Sequence, residues 1–216
     1  MRFALTALAL LLSVPAQAGG FGVLVTGGAH NEKMWYHSNL VTNPDTGESV
    51  VLSDPDQFEK IETGQVLPHG GTGLELILGD RDDKILGTFR FYYMADLPQA
   101  NPAPTAEDAN GKKIPAENVI AAYRSETRHV GMGMVGLSWG IIGKPDGFQL
   151  GASGHVGSGF LTTDHTEFLA VDLGPMMTYK LNRQLQAFAD LGWQARFHKG
   201  WSQGANVTAG VRYLFD

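Results

Sequence analysis

Between residues 185 and 198 every second position is apolar: Leu185, Ala187, Ala189, Leu191, Trp193, Ala195 and Phe197. The positions between are Gln186, Phe188, Asp190, Gly192, Gln194, Arg196 and His198. A period of two sends alternate side chains to opposite faces of a β-strand. The same alternation sets Val207, Ala209, Val211, Tyr213 and Phe215 against Asn206, Thr208, Gly210, Arg212 and Leu214. It recurs in segments starting near Phe21, Leu74, Ile85, Phe148 and Leu169. Only 127–142 leaves its phase open, because Gly and Met occupy both sets of positions. The pattern predicts eight strands, joined by links at 38–65, 80–84, 96–125, 143–147, 162–167, 181–184 and 199–203.

The first and third links are long and polar, whereas Gly79–Asp83, Lys144–Gly147 and Leu181–Gln184 read as tight turns. The Pro/Asn/Ala-rich stretch before residue 118 reads as a loop within one domain, since the strands on both sides share one pattern. Large loops on one rim and short turns on the other are how outer-membrane barrels are built. A soluble lipocalin-like barrel also has eight alternating strands, so the polar face must discriminate.

That face carries Glu75, Asp172 and Asp190 against Arg90, Arg196 and Arg212, with Gly, Thr, Ser and Gln between and scarce Lys. Charges inside a narrow barrel are tolerable when paired and hydrogen-bonded. A water-facing surface would carry many more Lys and Glu. Trp35, Trp193, Phe197 and Trp201 fall towards the loop-bearing ends, and Trp139, Tyr179, Tyr213 and Phe215 towards the turn-bearing ends, as interfacial aromatic girdles do. The expected fold is all-β: an eight-stranded antiparallel transmembrane β-barrel with a side-chain-filled lumen. Trp193 would then face lipid, and Asp190 and Arg196 the interior.

The first 18 residues fit a cleaved signal peptide: Arg2, an apolar run from Ala4 to Val14, and the small-x-small site Ala16-Gln17-Ala18. Residues 19–216 are expected to form one barrel domain. There are no cysteines, so disulfides contribute nothing. Removing Arg2 leaves 15 basic residues against 22 acidic ones, a balance that argues against nucleic acid as a partner. The segment Gly210-Val211-Arg212-Tyr213-Leu214-Phe215 resembles the C-terminal β-signal of outer-membrane barrels, with Val211, Tyr213 and Phe215 in alternation. Asp216 departs from it by placing the aromatic one position before the end. Together these features resemble the small eight-stranded bacterial outer-membrane barrels. The resemblance implies the outer membrane of a Gram-negative bacterium, contact with membrane lipid and lipopolysaccharide, and handling by barrel-assembly machinery during insertion.

Some such barrels are lipid A deacylases or acyltransferases, and a His-x-Ser pair would resemble the deacylases. Here Ser153 and His155 share a face in reversed order and point inward, away from any lipid ester. His37-Ser38 sends two side chains to opposite faces, and Asp164-His165 sits in a short link. The acids Asp45, Glu48, Asp54, Asp56, Glu59 and Glu62 lack EF-hand spacing, while His30 and His37 lie on opposite faces. Catalytic, metal and cofactor-binding residues are therefore expected to be absent. Arg90, Arg196, Arg212, Phe168, Phe188 and Tyr92 leave no continuous channel. The expected role is a non-enzymatic barrel that presents loops 38–65 and 96–125 for adhesion, anchoring or docking into an envelope complex. The rival roles are a lipid A-modifying enzyme, a narrow pore, and a soluble lipocalin-like ligand binder.

Overall fold

The computed structural model describes residues 19–38, 40–42, 49–51, 59–80, 82–97, 105–107, 113–114, 127–161, 167–198 and 200–215. The expected signal peptide, Asp45, Glu48, Asp54, Asp56, Asp164, His165 and Asp216 lie outside them. The elements are β1 (Gly20–Ser38), β2 (Leu40–Thr42), β3 (Ser49–Val51), β4 (Glu59–Leu78), β5 (Ile85–Asp96) and β6 (Thr105–Glu107). They continue with β7 (Lys113–Ile114), β8 (Arg128–Gly143), β9 (Phe148–Leu161), β10 (Glu167–Lys180), β11 (Leu185–Phe197) and β12 (Gly200–Leu214). No helix occurs among the described residues.

Eight long strands close on themselves. The order runs β1-β12-β11-β10-β9-β8-β5-β4, and β4 returns to β1, every pairing antiparallel. Closure removes the sheet edges, so every barrel strand has a neighbour on both sides. The alternation resolves which face is inside: Val25 and Leu191 are each 58% exposed, while Glu75 and Arg212 are 0% exposed. An apolar band outside and buried charge within is the arrangement of a barrel that crosses a membrane.

The stretch with open phase resolves as well. Val130, Met132 and Met134 point inward and pack with Leu24, Tyr92, Met94, Leu161, Phe168, Ala170 and Phe188. The lumen is thus apolar on one side, beyond the charges read from sequence. Near the end of β8 the register shifts between Gly140 and Ile142, and both Ile141 and Ile142 face outward. This bulge breaks the strict period and puts two successive isoleucines on the lipid side.

Three tight connections lie on one rim. At the first, Asp80 N–H donates to Asp83 Oδ2 and Asp83 N–H to the Asp80 carbonyl, at 2.8 and 3.0 Å. At the last, Asn182 Oδ1 accepts from Gln184 and Leu185 N–H, both at 2.9 Å. Gly143, with φ +102°, leaves β8 in a conformation that L side chains rarely adopt. Below the charges, Ile77, Leu86 and Leu214 pack together as an apolar floor.

Among the described residues the opposite rim carries more strand than the expected loops 38–65 and 96–125 suggested. β4 begins at Glu59, β2 pairs with β3, and β6 pairs with β4 and with β7. Strand β1 stays paired to β4 as far as Ser38↔Glu59, past its last pairing with β12 at Met34↔Gly200. The long links thus contain strands, which their polar composition did not signal.

Candidate functional site

The lower layer of the lumen is an ion-pair cluster built from β4, β5, β11 and β12. Arg212 Nε donates to Glu75 Oε2 at 2.6 Å and its Nη2 to Oε1 at 3.0 Å. Arg90 Nε donates to Glu75 Oε1 at 2.8 Å, and Arg90 Nη1 lies 2.6 Å from Asp190 Oδ2. Both guanidiniums sit over the Phe188 ring, at 4.1 Å for Arg212 and 5.3 Å for Arg90. Two acids meet two bases, and the rest of the fork binds Gln186 Oε1 and Ser138 Oγ. This is the pairing that offsets the desolvation of buried charge. Gly22 of β1 lies between the pair: it is registered with both Arg212 and Glu75. Arg212 reaches Glu75 over the β1 backbone at Gly22, where a Cβ would lie 3.1 Å from the Val211 carbonyl oxygen and 3.4 Å from both Arg212 Cγ and Glu75 Oε2.

The upper layer is larger and lies nearer the loop-bearing rim. Arg128 clamps Glu32 with Nη1–Oε1 and Nη2–Oε2 bonds of 3.1 and 2.7 Å, and also reaches Asp96 Oδ2 at 3.3 Å. Arg196 Nη1 donates to both Asp96 oxygens at 3.0 Å, while Arg196 Nε donates to Gln194 Oε1 at 3.2 Å. Asp172 Oδ2 accepts from Asn206 Nδ2 at 3.0 Å and Gln194 Nε2 at 3.3 Å. Asn206 Oδ1 in turn accepts from Thr26 Oγ1 at 2.8 Å and meets His69 Nε2 at 3.1 Å. His30 Nδ1 and His69 Nδ1 are 3.3 Å apart. Gly28, across from His69 in the register, makes room for that ring: a Cβ there would come 3.0 Å from His69 Cε1.

The six charges read from sequence thus divide between two layers. Glu75, Arg90, Asp190 and Arg212 meet below, whereas Asp172 and Arg196 sit above. The main acid of Arg196 is Asp96, a residue that sequence reasoning left at the edge of a link. Glu32, His30, His69 and Arg128 fall inside the expected strands, but of these only His30 was weighed, and only against His37. The available signal was the strand phase itself, followed along each strand through 26, 28, 30 and 32 and through 92, 94 and 96. Ser153 and His155 both point inward and are buried, and His155 Nε2 meets Thr88 Oγ1 at 2.8 Å. Neither is placed to meet a lipid ester.

On the outer face, Trp139, Tyr179, Trp193, Phe197 and Phe215 are exposed, with Trp201 and Tyr213 half-buried. Val211, Tyr213 and Phe215 share this outward side, where Tyr213 stacks on Phe21 with ring centroids 5.6 Å apart. Trp35 is registered with Glu62 in β1, but its side chain lies outside the described residues, as do those of His37, Ser38, Glu59 and Glu62.

The chain matches no known family profile, and no curated protein matches it. Among solved structures, the outer membrane protease OmpT from Escherichia coli is similar over 94% of this chain and 98% of that chain. The TM-score is 0.34 and the identity 10%, a likeness too slight to bear on activity.

Proposed function

We propose that this chain is a non-enzymatic outer-membrane barrel whose filled lumen makes a rigid base for a surface platform that binds a partner. The supporting observation is that the sheet continues past the apolar band on the loop-bearing rim. Outward positions turn polar at Asn31 and Gln203, yet β1 and β4 remain paired to Ser38↔Glu59. Strand β5 leaves the edge of β4 at His69↔Asp96, and β6 takes that edge over at Glu62–Gly64, with β7 outermost. A sheet carried on a closed barrel presents backbone and side chains in fixed positions, the setting in which surface segments carry recognition. Membrane lipid, lipopolysaccharide and the assembly machinery are the remaining contacts of this reading.

Replacing residues 100–118 by a Gly/Ser linker tests it. The barrel should still reach the outer membrane and still shift on SDS gels with boiling, while surface adhesion or a co-purifying protein is lost. If every surface phenotype and every co-purifying protein persists, the platform is not the working part.

A further inference from the structure

The hydrogen-bond pattern around His30 leaves one atom unaccounted for. Asn206 directs its Nδ2 at Asp172, so its Oδ1 faces His69 Nε2. His69 must therefore carry its hydrogen on Nε2, which makes the Nδ1 of the neutral ring an acceptor. His30 then donates from Nδ1 across the 3.3 Å contact. That leaves His30 Nε2 as a bare lone pair, with no hydrogen-bond partner among the described residues, 3.9 Å from Asp96 Oδ2. His30 is 4%, His69 5% and Asp96 1% exposed, so water does not freely reach them. A lone pair facing a carboxylate in a buried site calls for a cation.

We propose that His30, His69 and Asp96 form a transition-metal site of the zinc class. Each residue offers one donor atom, and the three atoms lie within 4.8 Å of one another. For bonds of 2.0–2.1 Å a tetrahedral ion sets its donors about 3.3–3.4 Å apart. The two Nδ1 atoms already have that spacing, at 3.3 Å. An ion replacing the hydrogen between them takes one oxygen of Asp96 as its third ligand, and the ring hydrogen of His30 moves to Nε2. His69 keeps its Nε2–H on Asn206, the outer-shell bond that orients a metal-bound imidazole. Two imidazoles and a carboxylate form a donor set suited to zinc.

Arg196 and Arg128 hold Asp96 and oppose a dication. The carboxylates of Glu32, Asp96 and Asp172 in the same layer offset part of that repulsion. The cluster lies at the loop-bearing end of the barrel, where Asp96 ends β5 and Arg128, its partner in the register, begins β8.

The test uses the full barrel refolded in detergent, stripped by a chelator and dialysed against Zn²⁺ or Co²⁺ alone. One ion per chain is expected, with a Co²⁺ absorption of tetrahedral type and a raised unfolding temperature. Both should vanish in His30→Gln and His69→Gln variants that keep their gel shift, and Asn206→Ala should weaken binding roughly 10–100-fold. Absent binding, or binding that survives the double His variant, overturns the site. Should the variants fail to fold, ¹⁵N-imidazole spectra of the native chain decide. Both Nδ1 signals should move when Zn²⁺ is added, whereas a His30 ring protonated on both nitrogens and indifferent to Zn²⁺ names the proton as the occupant and overturns the metal.

Discussion

Arg196 shows how much one buried side chain can hold. It binds both oxygens of Asp96 and one of Gln194, and lies over the Phe168 ring at 5.7 Å. Arg196→Ala would leave Asp96 buried with Arg128 at 3.3 Å as its remaining guanidinium. The expected loss is on the order of 3–5 kcal/mol, read as a lower urea midpoint for unfolding from detergent. An unchanged midpoint would mean that Asp96 is satisfied without it. On the other face, Leu191→Arg should cost about 2–4 kcal/mol if the position lies near the bilayer midplane, measured by unfolding in lipid vesicles. Alternation alone was enough to sort such residues by face, because one face meets lipid and the other does not. It was not enough to pair them. Arg196 and Asp96 are a hundred residues apart, and His30 meets His69 only because β1 and β4 share a register.

At the level of strands, the interior of each barrel element was legible and its ends were not. Apolar outward positions stop where the lipid stops, so reading for them truncates any strand that runs on into water. β4 therefore starts at Glu59, well before the strand that alternation marked, and Asp96 is a strand residue instead of a loop flank. The ambiguity of β8 has a different origin: apolar Met132 and Met134 point inward, and the bulge at Gly140/Ile142 inverts the phase beyond it. The turn after β8 carries its own signature in Gly143. Gly143→Ala should destabilise the barrel by about 1–2 kcal/mol, since its φ of +102° is unfavourable for any residue with a Cβ. Equal urea midpoints for the two proteins would mean that the turn relaxes at no cost.

For the molecule as a whole, two charged layers, an apolar flank and an apolar floor fill the lumen. Purified protein in planar bilayers should accordingly show no discrete conductance steps; regular steps would require the ionic layers to open. Likewise, with Ser153 and His155 buried, expression should leave the lipid A mass spectrum unaltered, and a new lipid A species lost in Ser153→Ala would restore the enzymatic alternative.

The bridge from Arg212 to Glu75 over Gly22 also has a kinetic meaning. Its two ends belong to the last strand and the second barrel strand, so it can form only after the first and last strands have met. An interaction made after the rate-limiting step leaves the speed of assembly alone and acts as a brake on coming apart. If closure follows the barrier, Glu75→Gln should refold into detergent at nearly the native rate but open roughly a hundredfold faster. The lifetime of the barrel, more than its yield, would then rest on one ion pair laid across the first strand.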